Sequence, residues 1–234
     1  MKRDKIKVPG ELFMILGLLL ISLSISIMGK LGFGISTIAS LPYNLNLVIP
    51  EISFGVWNFL FQSMLYMIMI SITKRVKKVH AISFLMCVIF AFLLDGTKML
   101  VGAMPDELYL RIIIFAVMFI VMSLGIAMMM TSKVPLMIVD MFSNNLSAHY
   151  QTSFRRIKTI LDIGLLASSA AVGLIFLGSL GGVGIGTVIM AFITGALVQA
   201  FGQRLNSKLD IQPYFNRLKA NRPVKAEGEG SDDL

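Results

Sequence analysis

The sequence has little charge, one cysteine and two histidines, and each shortage excludes a class of protein or site. Only 15% of its 234 residues are charged, whereas about 25% is typical of soluble domains. The lone Cys87 excludes an intrachain disulfide. His80 and His149 lie far apart without metal-ligand spacing around them, so we expect no metal site and no cofactor.

Catalytic patterns are absent too. The sequence contains no HExxH motif, no Ser-His-acid set and no pair of catalytic carboxylates, so we expect that the protein is not an enzyme. A net charge of +8 would suggest nucleic-acid binding in a soluble protein. Here the basic residues flank apolar segments, where orientation in a membrane explains them, and we expect no nucleic-acid partner.

Apolar residues are abundant: 56% of the chain is hydrophobic and the mean hydropathy is +0.81. A helix needs about 20 apolar residues to cross the bilayer. Six segments are long enough: residues 11–29, 53–73, 80–101, 108–130, 154–177 and 184–203. The sequence therefore predicts an all-α polytopic membrane protein with six transmembrane helices in a lipid bilayer.

The distribution of basic residues predicts the orientation. Of the 21 Lys and Arg residues, all but three flank the six segments on one side; the exceptions are Lys30, Lys98 and Arg111. Short cytoplasmic flanks retain basic residues, so we predict that both termini are cytoplasmic. Residues 205–234 are polar, and we interpret them as a cytoplasmic tail that is partly disordered.

The chain contains a weak internal repeat. Leu23–Met28 matches Leu124–Met129 at a separation of 101 residues, and Val88–Phe92 matches Val188–Phe192 at 100. Repeats of this kind are typical of membrane transporters. We therefore predict a first membrane repeat over residues 1–101 and a second over 102–204. Each repeat has three crossings, an odd number, so the second repeat is inverted relative to the first.

A shorter segment follows the first span of each repeat. The sequence between the first two spans is interrupted by glycine and proline, and its counterpart in the second repeat contains Pro135 and two asparagines. We predict half-helices at about Ile35–Leu45 and Leu136–Ser147. Both are interpreted as re-entrant, with an amphipathic helix at the membrane surface as the main alternative and an additional crossing in each repeat as the other.

Four polar residues in the spans are related by the repeat. At a separation of 100 residues, Asn58 corresponds to Lys158 and Gln62 to Asp162, so each repeat carries polar groups at i and i+4. Polar groups within spans indicate functional sites, and we predict that these four bind a substrate near the axis between the repeats. The alternative is an ordinary ion pair between Lys158 and Asp162, with the lysine reaching toward the interface.

Other polar positions complete the candidate site. Asp95 and Lys98 form a coupling or gating pair in one interpretation and a simple ion pair in the other. Asp140, in the second half-helix, is a further candidate for substrate binding if that segment is re-entrant. Asn44 and Asn145 either bind substrate or cap the half-helices.

Three short motifs resemble those of a known family. Gly29–Ser36, Ile52–Gly55 and Gly184–Ile189 resemble motifs of the YczE/YyaS/YitT-type bacterial integral membrane proteins, and of the YczE group in particular. The chain departs from them at Gly34–Ser36, where the family often has a small residue followed by proline, and at Arg155, which stands where a repeat of Gly55 is expected. The resemblance implies the bacterial inner membrane and a transporter-like fold, but no substrate.

These observations together predict a small-solute transporter or exporter. It would work by alternating access between the inverted repeats, with Asp162 and Asp95 as candidate proton- or cation-linked carboxylates. The alternative is a non-transporting scaffold or regulatory partner of another membrane complex. The sequence leaves open whether the chain forms a homo-oligomer.

Overall fold

The computed structural model describes residues 6–74, 76, 79–135 and 137–212, which are predominantly helical. The predicted tail beyond residue 212 lies outside the described residues, as do the basic residues Lys2, Arg3, Lys5, Arg75, Lys77 and Lys78 and the predicted half-helix start Leu136. The helices are α1 (Gly10–Leu31), α2 (Thr37–Val48), α3 (Phe54–Thr73), α4 (Val79–Leu100), α5 (Leu108–Thr131), α6 (Ile138–His149), α7 (Phe154–Val172) and α8 (Ile185–Lys208).

Six of these helices confirm the predicted all-α membrane architecture. Six long helices are apolar enough to cross a membrane, with mean hydropathies between 1.4 and 2.8. A π-helical turn, Gly173–Leu177, extends α7 to the predicted length, and α8 continues to Lys208, past the predicted end at residue 203. The chain is a polytopic membrane protein. The two shorter helices, α2 and α6, occur at the two positions where half-helices are predicted.

Two short strands join the ends of the helical region. β1 (Ile6–Pro9) pairs in parallel with β2 (Leu209–Gln212), with Ile6 opposite Leu209. Ile211 is buried in this pairing. The strands therefore tie the start of α1 to the end of α8.

The helices pack in two groups. The first, here called the scaffold group, consists of α1, α4, α5 and α8: α1 packs on α4 and α5, and α5 packs on α8. The second, the half-helix group, consists of α2, α3, α6 and α7: α2 packs on α3 and α7, and α6 packs on the same two helices. The groups meet where α4 contacts α3 and, less extensively, α6.

Close contact between α1 and α5 holds the scaffold group together. A Cβ at Gly17 would lie 2.7 Å from the carbonyl oxygen of Gly125, and a Cβ at Gly125 would lie 2.9 Å from that of Gly17. Only glycine at both positions permits this close approach of the two backbones. Close approach increases the van der Waals contact that stabilises helix pairs in membranes. The hydroxyls of Ser26 and Thr97 add a buried hydrogen bond of 2.8 Å between α1 and α4.

The three basic residues that break the charge pattern all donate to oxygen atoms of the protein. Lys30 donates to the carbonyl of Val101 at 2.5 Å, and Lys98 donates to the side-chain oxygen of Asn46 at 2.5 Å. Arg111 donates to the carbonyl of Leu31, at the end of α1. These side chains hold together helix ends and connections on the side predicted to be external.

Most packed helix pairs have a packed counterpart under the predicted repeat; over the described residues, α3–α4 and α4–α6 have no counterpart of comparable extent. Under the predicted repeat, helices α1 to α4 correspond in order to helices α5 to α8. The pair α2–α7 then corresponds to α6–α3, and the pair α1–α4 corresponds to α5–α8. All four pairs are packed. The hairpin of α3 and α4 is packed as well, whereas α7 and α8, over the residues that the structure describes, make no comparable contact. Close packing of α3 on α4 depends on Gly55, where a Cβ would lie 2.1 Å from the carbonyl oxygen of Ala91.

Candidate functional site

Lys158 and Asp162 form an ion pair on α7. The ammonium nitrogen of Lys158 lies 3.3 Å from a carboxylate oxygen of Asp162, and the side chains are 23% and 30% exposed. Thr37, the first residue of α2, donates its hydroxyl to the same carboxylate at 3.4 Å. The half-helix α2 thus begins at the ion pair, where its unpaired N–H groups and dipole favour the negative charge of Asp162.

Asn58 and Gln62 form a buried pair on α3. The amide nitrogen of Gln62 donates to the side-chain oxygen of Asn58 at 2.7 Å, and each residue is only 1% exposed. The thiol of Cys87, on α4, donates to the amide oxygen of Gln62 at 3.0 Å. Cys87 also contacts the backbone of Ile138, the first residue of α6. Each half-helix therefore begins beside one of the two polar pairs related by the repeat.

Asp140 connects the two pairs. It lies in the first turn of α6, within electrostatic range of Lys158, Asp162 and Cys87. Its carboxyl group is partly buried, and the charges of Lys158 and Asp162 both act on it. Two carboxylates and one ammonium group thus act on one another at the start of α6. We call this set the central polar cluster; its members are Thr37, Asn58, Gln62, Cys87, Asp140, Lys158 and Asp162.

The half-helix α2 runs parallel to α7, the long helix that carries Lys158 and Asp162. Thr37 contacts Asp162 and Asn44 contacts Ser169, and both contacts span 125 residues of sequence. Two contacts at one separation require that α2 and α7 run in the same direction. Asp162 is eight residues after the first residue of α7, a rise of about 12 Å. The first turn of α2 therefore lies well away from both ends of α7.

Asn44 and Asn145 lie away from the central polar cluster. Asn44 is completely buried; its amide nitrogen donates to the carbonyl and hydroxyl of Ser169, at 2.8 and 3.0 Å, and to the carbonyl of Leu180 at 3.2 Å. Its oxygen accepts the backbone N–H of Gly182 at 2.6 Å. Asn145 donates to Met69 and to the carbonyl of Met141. In the structure both amides bond to the protein itself.

Asp95 and Lys98 bond to different partners, although the charge of Asp95 also acts on Lys98. Asp95 accepts the hydroxyl of Ser53 at 2.6 Å and the backbone N–H of Gly55 at 2.7 Å. These two groups stand at the start of α3, so the carboxylate of α4 caps a neighbouring helix. Lys98 donates instead to Asn46.

This placement predicts a structural effect for Asp95. We expect Asp95→Ala to lower the unfolding free energy by about 1–2 kcal/mol, because the Ser53 hydroxyl and the Gly55 N–H lose their shared carboxylate acceptor. Asp95→Asn keeps one acceptor oxygen and should lose less. Thermal unfolding of the purified variants measures both. A stable Asp95→Asn variant whose transport loses its pH dependence would instead establish the coupling role.

Two members of the cluster, Thr37 and Cys87, are missing from the candidates predicted by sequence. Thr37 is a polar residue near the start of the predicted half-helix, and that position is a signal by which the sequence could have identified it. Cys87 corresponds to the buried Thr187 at a separation of 100 residues. Its position next to Gln62 depends on how α4 packs against α3 and α6. The pattern of residues along the chain gives no information on that packing.

Comparison with known proteins gives a family and no function. A family model matches residues 8–203. The chain belongs to DUF6198, a family of unknown function. The DUF6198 match covers α1 to α7 and most of α8, and it includes every residue of the central polar cluster. It does not name the YczE/YyaS/YitT-type proteins, so that resemblance stays a prediction. No curated protein and no solved structure matches the chain.

Proposed function

We propose that this DUF6198 protein is a small-solute transporter of the bacterial inner membrane that works by alternating access. The observation that carries the proposal is the central polar cluster: polar and charged groups from both repeats lie beside the first turns of two half-helices. Charged groups within membrane spans are costly and mark substrate or ion pathways. Interrupted helices with their N-termini near the bilayer midplane form the binding sites of several transporter folds.

We infer that both half-helices are re-entrant. The contact between Thr37 and Asp162 supports this inference, because α7 is long and apolar enough to cross the membrane and the start of α2 would then lie at the depth of Asp162. A helix lying on the membrane surface does not reach that depth. The contact between Cys87 and Ile138 supports the same interpretation for α6, because Cys87 lies inside α4.

The two helix groups supply the moving parts of the proposed mechanism. The half-helix group carries six of the seven residues of the cluster, and the scaffold group carries Cys87. The α3–α4 hairpin is packed, while the connection of residues 178–184 holds α7 and α8 together at one end only. With the predicted orientation, the ends of α7 and α8 that this connection does not join face the cytoplasm. We therefore assign the structure to an inward-facing state in which Lys158 and Asp162 are partly exposed and Asn58 and Gln62 are closed off.

We propose distinct roles within the cluster. Asn58, Gln62 and Lys158 contact the solute, and Asp162 and Asp140 carry a coupled proton or cation. A proton or cation suits this position because two acidic groups interact there, and uncompensated charge within a membrane protein is costly. We assign Asp95 to capping the start of α3.

The test is ligand-dependent stability. Detergent-purified protein is heated with amino acids, organic anions, sugars and sulfonates, and a ligand at 100 times its Kd should add about 2.7 kcal/mol to the unfolding free energy. We expect a stabilising compound whose effect disappears in both Asp162→Asn and Gln62→Ala. Asn144→Ala, at an exposed position of α6, is the control and should keep the effect. If a stabilising solute and its transport survive unchanged in both variants, the proposed site is wrong.

A second measurement separates the transporter from the scaffold alternative. In a Cys87→Ser background, a membrane-impermeant thiol reagent should label Asp162→Cys from the cytoplasmic side. Gln62→Cys, which is closed off in the assigned state, should be labelled much more slowly than Asp162→Cys from either side. A packed scaffold would exclude the reagent from both positions under all conditions.

A further inference from the structure

A groove between α5 and the end of α8 lies outside the central polar cluster. It has a volume of about 230 Å³. Its walls are almost wholly apolar and come from Leu124, Phe201, Leu205 and Leu209, while Arg204 and Lys208 also border it. This surface has no role in the proposed transport mechanism, and the inference below does not rest on that mechanism.

In the predicted orientation, the groove has a basic cytoplasmic end and apolar walls deeper in the membrane. Leu124 is seven residues before the end of α5 at Thr131, which corresponds to a depth of about 10 Å. Arg204 and Lys208 are exposed in the final turns of α8 and, at i and i+4, lie on one face of the helix. The basic pair thus lies at the level of the headgroups while the apolar walls reach into the hydrocarbon layer.

We propose that this groove binds one anionic phospholipid of the cytoplasmic leaflet. One acyl chain lies against Leu124, Phe201 and Leu205, and the phosphate lies between Arg204 and Lys208. The charges of the pair are opposite to that of an anionic headgroup, and basic pockets between transmembrane helices on the cytoplasmic side recognise such lipids. The predicted orientation places this end of α8 at the cytoplasmic face, where anionic lipids attract basic residues.

Binding is tested with phosphatidylglycerol and phosphatidylcholine carrying identical acyl chains. Native mass spectrometry of the full chain counts retained lipid, and titration in mixed micelles gives its affinity. We expect phosphatidylglycerol to be retained in preference to phosphatidylcholine. Each basic residue contributes about fivefold to affinity, so Arg204→Gln with Lys208→Gln should weaken phosphatidylglycerol binding about thirtyfold.

A matched control separates the groove from general surface charge. Lys74→Gln with Lys133→Gln removes the same charge from the same predicted face, outside the groove, and should leave binding unchanged. An equal loss in this control would overturn the proposal, as would equal binding of the two lipids. Inorganic phosphate should not compete; competition would assign the basic pair to a free anion instead.

A second variant tests the apolar walls. Leu124→Trp fills the groove without changing its charge, and we expect it to release phosphatidylglycerol while the protein still elutes as a single folded species. A variant that keeps its lipid but changes its oligomeric state would show that a second copy of the chain, not a lipid, occupies the groove. If Leu124→Trp does not fold, Leu124→Ala widens the groove and should weaken retention in the same assay.

Discussion

Asn44→Ala should lower the unfolding free energy by roughly 3–4 kcal/mol and the Tm by about 10 °C. Asn44 joins the half-helix α2 to α7 and to the connection before α8 through four hydrogen bonds. Its loss leaves the buried N–H of Gly182 without its acceptor. The measurement is thermal unfolding of the detergent-purified variant.

Two further variants define the origin of this effect. Asn44→Asp retains an acceptor for Gly182 but directs a carboxylate at the carbonyls of Ser169 and Leu180, so it should be at least as unstable. Asn144→Ala, in the second half-helix at an exposed position, should change the unfolding free energy by less than about 0.5 kcal/mol. If Asn44→Ala keeps its Tm but loses the stabilising effect of a solute, Asn44 binds substrate, as the sequence predicts, and its structural role is minor.

Gly55→Ala should destabilise the packed α3–α4 hairpin by about 1–3 kcal/mol, a loss of roughly 5–10 °C in Tm. A Cβ at position 55 would lie 2.1 Å from the carbonyl oxygen of Ala91 and 2.6 Å from a carboxylate oxygen of Asp95. The first neighbour is backbone, which cannot rotate away. The substitution therefore separates α3 from α4 and weakens the bonds from Ser53 and Gly55 to Asp95.

The matched control is Gly96→Ala, in α4 next to Asp95. No atom lies within 4 Å of a Cβ at position 96, so this variant should be neutral or slightly stabilised, since alanine favours helix over glycine. In the proposed mechanism Gly55→Ala also opens the external side, so Gln62→Cys in that background should react with thiol reagent from outside without solute. An unchanged Tm for Gly55→Ala would mean that α3 and α4 are not in close contact in the membrane.

The candidate site was predictable where the repeat pairs residues. Asn58 with Gln62 and Lys158 with Asp162 stand out because polar residues recur at i and i+4 in both halves of an apolar sequence. Their hydrogen-bond partners were not predictable in the same way. Cys87 comes from another helix, and nothing near it in sequence indicates that its thiol donates to Gln62. The capping of α3 by Asp95 depends likewise on a contact between helices.

The sequence by itself determined the six spans and the positions of the two half-helices, because hydropathy and helix-breaking residues act over neighbouring positions along the chain. It also indicated which polar residues correspond between the halves. Only the tertiary structure decided that α2 and α6 begin at the central polar cluster, that Asn44 holds α2 to α7, and that α3 and α4 pack while α7 and α8 do not. Those features depend on distances between helices far apart in sequence, where one glycine, such as Gly55, sets how closely two backbones approach.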